Sequence, residues 1–371
     1  MISFGARKLW NGRTESFVLC ALIFAATGAV AGVVRAQSTT APPHGTVERV
    51  KVHGASLEGN LEGDPADRDV SVYLPPGYAT HKKARYPVLY LLHGYMDNDI
   101  NWFGPKHAFV DAPKAIDAAL ANGSSKEMIV VMPSAYTVYM GSMYSNSVTT
   151  GNWEKFVTSD LVSYIDSHYR TIPDRMSRGL AGHSMGGYGT MRLGMKFPEV
   201  YSSIYAMSAC CLIPNTDSGR EETSEFTQAA AKEEAIHSAA DLANADFGTR
   251  ADIASAAAWS PNPKNPPLFL DLLTAGGKVQ SKVKAQWYAN APLAMLPQYV
   301  DNLKRFRGIA IDVGTKDGLM ANNQLLSERM TLFGVANSFE TYDGNHISGI
   351  QDRLQNHVLQ FFSKNLKFET K

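Results

Sequence analysis

The feature that most constrains this chain is the sequence Gly-His-Ser-Met-Gly-Gly at residues 182–187. It matches Gly-x-Ser-x-Gly, a pattern typical of a sharp strand-to-helix turn that exposes its serine above a sheet. The flanking glycines allow a close approach of helix and backbone that a Cβ atom would obstruct. Backbone N–H groups after the serine would then face its hydroxyl from a helix N-terminus. The pattern predicts a nucleophile at Ser184.

The sequence around this motif has the periodicity that the turn requires. Residues 177–181 before it are a short strand candidate, and residues 188–197 after it carry apolar side chains at helical spacing. Pro198 ends that helix, and residues 201–208 follow as another strand. A strand, a turn, a helix and a second strand therefore surround Ser184. The alternative is a glycine-rich loop with an inert serine.

The rest of the chain predicts an α/β fold. Apolar runs of the kind found in central parallel strands alternate with helical patterns, after two early antiparallel strands. The predicted strands are 47–53, 69–74, 87–92, 128–132, 309–313 and 338–342, and the predicted helices are 112–121, 153–169 and 350–362. We expect a mostly parallel central sheet flanked by helices. Residues 214–298 interrupt the alternation, and we interpret them as a helical cap insertion over the active-site edge, or alternatively as surface elaboration.

The N-terminus is typical of a secretory signal peptide. Basic residues precede an apolar run at residues 17–34, and small residues stand before a cleavage site after Ala36. A membrane anchor is the alternative. We therefore predict a signal peptide at residues 1–36, a flexible leader at 37–45, a catalytic domain at 46–371, and a secreted or periplasmic location with no stable membrane span after cleavage.

Composition narrows the classes of partner and cofactor. The formal net charge is zero, which gives no electrostatic footprint for nucleic acid. No His, Cys or carboxylate cluster has metal-ligand spacing, so we expect neither a metal nor another cofactor. Of the three cysteines, Cys210 and Cys211 are adjacent; a bridge between them would be strained, and we interpret them as buried thiols. The oligomeric state is not indicated.

A serine nucleophile needs a base and an acid later in the chain. His346 follows the last predicted strand and is the candidate base. Asp317 follows the strand 309–313 and is the candidate acid. Asp312, within that strand, and Asp343, three residues before the histidine, remain alternatives.

A tetrahedral oxyanion needs two N–H donors. The candidates are the backbone N–H of Met185, which follows the nucleophile, and that of Tyr95, in the loop after an early strand. Trp102, beyond the same loop, either lines the substrate pocket or belongs to the core. Tyr188 is a second candidate pocket residue.

Together these motifs resemble the esterase D-type branch of the α/β-hydrolases. The resemblance rests on residues 73–78 (Tyr-Leu-Pro-Pro-Gly-Tyr), 91–94 (Leu-Leu-His-Gly), Trp102, 182–187, 314–317 (Gly-Thr-Lys-Asp) and 344–346 (Gly-Asn-His). That branch includes feruloyl and acetyl-xylan esterases, S-formylglutathione hydrolases and mycolyltransferases. The resemblance implies an α/β-hydrolase fold and the catalytic set Ser184, Asp317 and His346.

The expected function is a secreted serine carboxylic-ester hydrolase that acts through an acyl-enzyme. Its substrate would be a small or polysaccharide-linked ester, with feruloyl and acetyl groups as examples that the resemblance implies. One alternative is an acyltransferase of the mycolyltransferase type. Another is a non-catalytic binding module on the same fold.

Overall fold

The computed structural model describes residues 44–105, 110–213 and 223–369, and within them the chain forms an eight-stranded sheet. Its strands are β1 (Thr46–His53), β2 (Asp67–Leu74), β3 (Val88–Leu92), β4 (Ile129–Pro133), β5 (Arg178–His183), β6 (Ser203–Met207), β7 (Gly308–Gly314) and β8 (Ser338–Tyr342). The predicted signal peptide lies outside the described residues.

The strand order is β1-β2-β4-β3-β5-β6-β7-β8. β1 pairs with β2 and β2 with β4 in antiparallel fashion, and every later pair is parallel. The predicted mostly parallel sheet is therefore confirmed. Because the carboxyl ends of parallel strands meet at one edge, the loops after β3, β5, β7 and β8 come together there.

Helices connect the parallel strands. The longer ones are α1 (Ala112–Ala121), α2 (Leu161–His168), α3 (Met185–Lys196), α4 (Ser224–Glu234), α5 (Ala239–Asn244), α6 (Phe247–Trp259), α7 (Ser281–Asn290), α8 (Met320–Leu332) and α9 (Leu359–Asn365). Wider π-helical turns, Phe156–Asp160 and Leu354–Val358, precede α2 and α9. None of the described helices is long and apolar enough to cross a membrane.

The central strands of the sheet are buried on both faces, as their apolar sequences predict, whereas the edge strands β1 and β8 are largely exposed. All five residues of β3 are buried, and they alternate between two hydrophobic clusters. Tyr90 faces the cluster that contains Met191 of α3, whereas Leu89 faces the one that contains Ile116 of α1 and Phe362 of α9. Helices therefore cover both faces, which holds the strand ends rigidly at the edge that carries the loops.

The segment after β6 is mainly helical and packs on the main core. It contains α4 to α7 and a short ribbon of Thr274–Ala275 and Lys278–Val279. The ring of Trp259 on α6 meets that of Trp287 on α7 edge to face, with centroids 5.5 Å apart. Residues 214–222, where the predicted insertion begins, lie outside the described residues.

Candidate active site

Ser184 stands at the turn between β5 and α3. Its backbone has φ 57° and ψ −114°, outside the conformations that L-residues ordinarily adopt. The turn is tight: a Cβ atom on Gly182 would lie 2.3 Å from the carbonyl oxygen of Gly186, and one on Gly186 would lie 2.1 Å from that of Leu92. Glycine at both positions therefore lets helix and strand approach closely enough to present the serine.

Hydrogen bonds link Ser184, His346 and Asp317 in one chain. The Nε2 atom of His346 lies 2.9 Å from the Ser184 hydroxyl oxygen. Its Nδ1 atom lies 2.8 Å from Oδ2 of Asp317. The structure thus brings together the three residues predicted as catalytic, from loops that follow β5, β7 and β8. This geometry allows the imidazole to accept the serine proton while its other nitrogen donates to the carboxylate.

Asp317 is held ionised by its donors. Burial opposes the charge, but the hydrogen bond from His346 and the backbone N–H of Leu319, 2.9 Å from Oδ1, outweigh it and lower the pKa of Asp317. The carboxylate side chain is 2% exposed, whereas the His346 side chain is 38% exposed. The charge is thus fixed behind the imidazole, while the imidazole itself remains open to solvent.

The two alternative acids lie elsewhere. Asp312 is fully buried in β7, where its Oδ2 accepts hydrogen bonds from Tyr205 and Arg353 at 2.7 Å each. The exposed carboxylate of Asp343 forms an ion pair with Lys316, 2.6 Å away. Within the described residues, neither of these two carboxylates forms a hydrogen bond or an ion pair with His346.

The loop that carries His346 is supported from β5. The ring of His183 lies 4.8 Å from the His346 ring, and its Nε2 atom is 2.8 Å from the His346 carbonyl oxygen. Because a carbonyl oxygen only accepts, Nε2 of His183 carries the hydrogen. Burial, with the neighbouring imidazole, lowers the pKa of His183 to about 4, so this ring is neutral near pH 7.

Of the two candidate oxyanion donors, Met185 directly follows the nucleophile and Tyr95 lies in the loop after β3. Neither the N–H of Tyr95 nor that of Met185 has a protein acceptor among the described residues. A Cβ atom on Gly94 would lie 3.4 Å from Cβ of Ser184, which brings the loop after β3 directly against the nucleophile. His93 holds that loop: its Nε2 atom accepts the N–H of Ala135 at 2.8 Å.

The structure places both candidate pocket residues in the core, which for Trp102 is one of the two alternatives and for Tyr188 corrects the prediction. Trp102 is fully buried, and its indole N–H donates to Oδ2 of Asp97 at 2.7 Å. Tyr188 is also fully buried, and its hydroxyl donates to the Asn290 carbonyl oxygen at 2.9 Å. Neither ring presents surface to a substrate. Both aromatic rings lie in the core because their polar groups find hydrogen-bond partners there. The position of these residues in the sequence does not reveal those partners.

Two residues near the site were not predicted. The ring of Phe247, at the start of α6, meets the Tyr95 ring edge to face at 5.8 Å and is 65% exposed. Asn323 of α8 holds the loop after β6, accepting the N–H of Ala209 and donating to its carbonyl oxygen. Neither residue lies in a motif or a periodic pattern that points to the site. Their contacts arise only when distant segments pack.

No metal site is apparent in the described ranges, where no group of three or more His, Cys, Asp or Glu side chains is placed to hold an ion. At the carboxyl edge of the sheet, Ser184, His346 and Asp317 form the hydrogen-bonded chain described above.

The strand order and the strand-to-helix turn at Ser184 define an α/β-hydrolase. Residues 65–367 match the putative esterase family, and the chain belongs to that family. This confirms the family resemblance predicted from the motifs.

Solved structures share the fold. A ferulic acid esterase aligns with a TM-score of 0.61 and 21% identity, over 88% of this chain and 100% of its own. An S-formylglutathione hydrolase from Agrobacterium tumefaciens aligns with a TM-score of 0.53 and 18% identity, over 88% of this chain and 98% of its own. At these identities the likeness concerns the fold.

Curated relatives match over part of their length. An endo-1,4-beta-xylanase/feruloyl esterase from Xylanibacter ruminicola is 32% identical over 161 residues, which cover 43% of this chain and 21% of that protein. An S-formylglutathione hydrolase from Paracoccus denitrificans is 28% identical over 163 residues, 42% of this chain and 57% of that protein. The alignments thus span less than two thirds of either relative.

Proposed function

We propose that this chain is a serine carboxylic-ester hydrolase in which Ser184 is the nucleophile, His346 the general base and Asp317 the orienting acid. The observation that carries the proposal is the continuous set of hydrogen bonds from the Ser184 hydroxyl through both nitrogens of His346 to the Asp317 carboxylate. This arrangement lies at a strained turn, beside N–H groups that have no protein acceptor in the described part of the chain, and is suited to acyl transfer.

The proposed reaction begins with attack of the Ser184 oxygen on the ester carbonyl carbon. His346 takes the serine proton through Nε2, and the Asp317 carboxylate stabilises the resulting imidazolium. The N–H groups of Tyr95 and Met185 stabilise the negative oxygen, and each such donor contributes about 3 kcal/mol to lowering the barrier. Collapse releases the alcohol, which receives the proton from His346.

Water completes the cycle. It attacks the acyl-enzyme as His346 removes its proton, a second oxyanion forms at the same donors, and the carboxylic acid leaves as the proton returns to Ser184. The His346 side chain is 38% exposed, so water can approach the imidazole from solvent. An alcohol acceptor at this step would make the same site an acyltransferase, so acceptor assays decide between the two reactions.

The proposed substrate is a small or carbohydrate-linked ester. The similarity to the endo-1,4-beta-xylanase/feruloyl esterase of Xylanibacter ruminicola supports this class. The contact of Phe247 with Tyr95 supports a role for the helical insertion as a cap, because it brings an exposed aromatic ring to the proposed oxyanion loop. We further propose secretion, on the strength of the predicted signal peptide alone.

The test combines turnover with covalent labelling. Ser184→Ala should abolish hydrolysis of p-nitrophenyl acetate and labelling by a fluorophosphonate probe. Ser167→Ala, at an exposed site in α2, is the matched control and should retain both. Turnover by Ser184→Ala close to the wild-type rate would refute the assignment, and absence of turnover and labelling in the wild type would favour a binding module.

A further inference from the structure

Cys210 and Cys211 lie in the loop that follows β6, next to the nucleophile turn. Their Sγ atoms are 2.6 Å apart, in contact, and both residues are half-buried, so the burial expected for the two thiols is only partial. Cys211 has φ 58°, a backbone conformation that is uncommon for a residue with a Cβ atom. Such a conformation persists only where surrounding contacts maintain it, and it is often associated with function.

The contacts of this loop explain how the two thiols are held together. Asn323 binds both the N–H and the carbonyl oxygen of Ala209, immediately before the cysteines. Immediately after them, the Leu212 carbonyl oxygen accepts the N–H of Leu293, 3.0 Å away. The loop is therefore fixed on both sides of the pair, which holds the two thiols in contact. Because a bridge between adjacent cysteines is strained, closing it would shift the backbone of this loop.

The same loop is bonded to the nucleophile. The N–H of Cys210 donates to the Ser184 carbonyl oxygen at 3.1 Å, and the Ser184 N–H donates to the Met207 carbonyl oxygen at 3.0 Å. A change in the backbone at Cys210 would consequently be transmitted to the residue whose φ and ψ present the attacking oxygen. The activity assigned above to Ser184 makes this coupling measurable.

We propose that Cys210 and Cys211 are a redox modification site, at which a small-molecule disulfide converts the two thiols into a disulfide between adjacent residues and slows turnover at Ser184. The thiolate of one cysteine attacks a sulfur of the small disulfide, forming a mixed disulfide and releasing one small thiolate. The second cysteine then attacks the protein sulfur, closes the ring and releases the second thiolate. The two protons lost by the cysteines are taken up by the two released thiolates, so two thiols are oxidised and one disulfide is reduced.

The order of attack follows from the environments of the sulfurs. The contact with the Cys210 thiol and burial together raise the pKa of Cys211, which keeps its proton. The first attack is therefore assigned to Cys210, because only a thiolate is an effective nucleophile. Cys211 acts second, when the mixed disulfide lies beside it and effective molarity compensates for its low thiolate fraction.

The proposal is tested with oxidised glutathione as the probe. All proteins carry the Cys20→Ser substitution, so that Cys210 and Cys211 are the only thiols left in the chain. After incubation and acid quenching, intact mass should fall by two hydrogens, without a stable glutathione adduct. Cys211→Ser should accumulate one adduct on Cys210, and Cys210→Ser should form its adduct about tenfold more slowly. Stable adducts on the unsubstituted pair, or no reaction, would overturn the modification site and leave only packed thiols.

Turnover of p-nitrophenyl acetate, measured on the same samples, tests the coupling. The kcat of the oxidised pair should fall about tenfold or more, since small displacements of a nucleophile have large kinetic effects. Dithiothreitol should restore it, and neither serine variant should show this reversible loss. A disulfide that forms with unchanged kcat would overturn the coupling. Because the mass change does not depend on turnover, failure of the esterase assignment would be distinguishable from failure of the modification site.

Discussion

The imidazole of His183 is hydrogen bonded to the backbone of His346, with Nε2 2.8 Å from the carbonyl oxygen. The residue that precedes the proposed nucleophile thereby holds the loop of the proposed base, although β6 and β7 lie between β5 and β8 in the sheet. This contact restrains the imidazole from behind, while Asp317 restrains it through Nδ1.

We predict that His183→Phe, which keeps a ring but removes the donor, lowers kcat about tenfold to a hundredfold with little change in KM. The reason is that His346 loses a positioning contact that the substrate does not replace. Steady-state kinetics with p-nitrophenyl acetate measure the effect. A variant that folds normally and has wild-type kcat would show that the contact does not position the base.

His183 should also make stability depend on pH. Its pKa is about 4 in the folded protein, below the ordinary 6.5, because burial disfavours the charged ring. The unfolded chain therefore binds a proton first as pH falls, so this stability is complete above about pH 6.5 and is lost toward pH 4. The His183 titration therefore contributes about 3 kcal/mol to the free energy of unfolding, at about 1.4 kcal/mol per pKa unit.

Urea unfolding at several pH values tests this dependence against His183→Gln, which lacks the titrating group. The wild type should lose more free energy of unfolding than the variant between neutral pH and pH 4. Parallel curves for the two proteins would contradict the proposed titration.

Asp317→Asn should reduce kcat by about a thousandfold or more while leaving the fold intact, because the amide no longer stabilises the imidazolium. Asp312→Asn is the matched comparison, because Asp312 lies in β7 and Asp317 lies in the loop that follows β7. It should mainly lower stability, by about 3 kcal/mol, since the buried Arg353 guanidinium loses an ionised partner. Kinetics and thermal unfolding of both variants separate the two roles, and the reverse pattern would identify Asp312 as the acid.

Trp102→Phe should destabilise the protein without altering specificity. Removing the indole N–H leaves Oδ2 of Asp97 without that donor, at a cost of about 1–3 kcal/mol. KM values for acetyl and aryl esters should keep their ratio, because the Trp102 ring is fully buried. A selective change in KM for aryl esters would instead assign Trp102 to the substrate pocket.

Gly186→Ala should prevent the close packing of β3 and α3 at the Ser184 turn. The added Cβ would lie 2.1 Å from the Leu92 carbonyl oxygen, a backbone atom that cannot move without displacing β3. Expression of folded protein, or turnover, should be lost. Gly248→Ala on α6 is the control: its nearest neighbour would be 3.5 Å away, and the added methyl should stabilise the helix by about 0.5–1 kcal/mol. Equal melting temperatures for both variants would contradict the steric argument.

Much of the fold follows from local pattern. Helix α1 and strand β8 occupy the residues predicted for them, and β3 and β4 lie within a residue of their apolar runs. Local periodicity suffices for these elements, because each repeats one environment over several residues. The predicted closing helix extends to Asn365, three residues further, since its last turn still packs on the core.

Patterns along the chain were enough to predict the class of fold, a nucleophile turn at Ser184 and the order of the candidate acid and base. The burial of Trp102 and Tyr188, the support of His346 by His183 and the contact of Phe247 with Tyr95 became visible only in the folded chain. These contacts could not be predicted because the residues that form them are far apart along the chain. Periodicity reports the environment of neighbouring residues, whereas these contacts join segments that only the packing of helices on both faces of the sheet brings together.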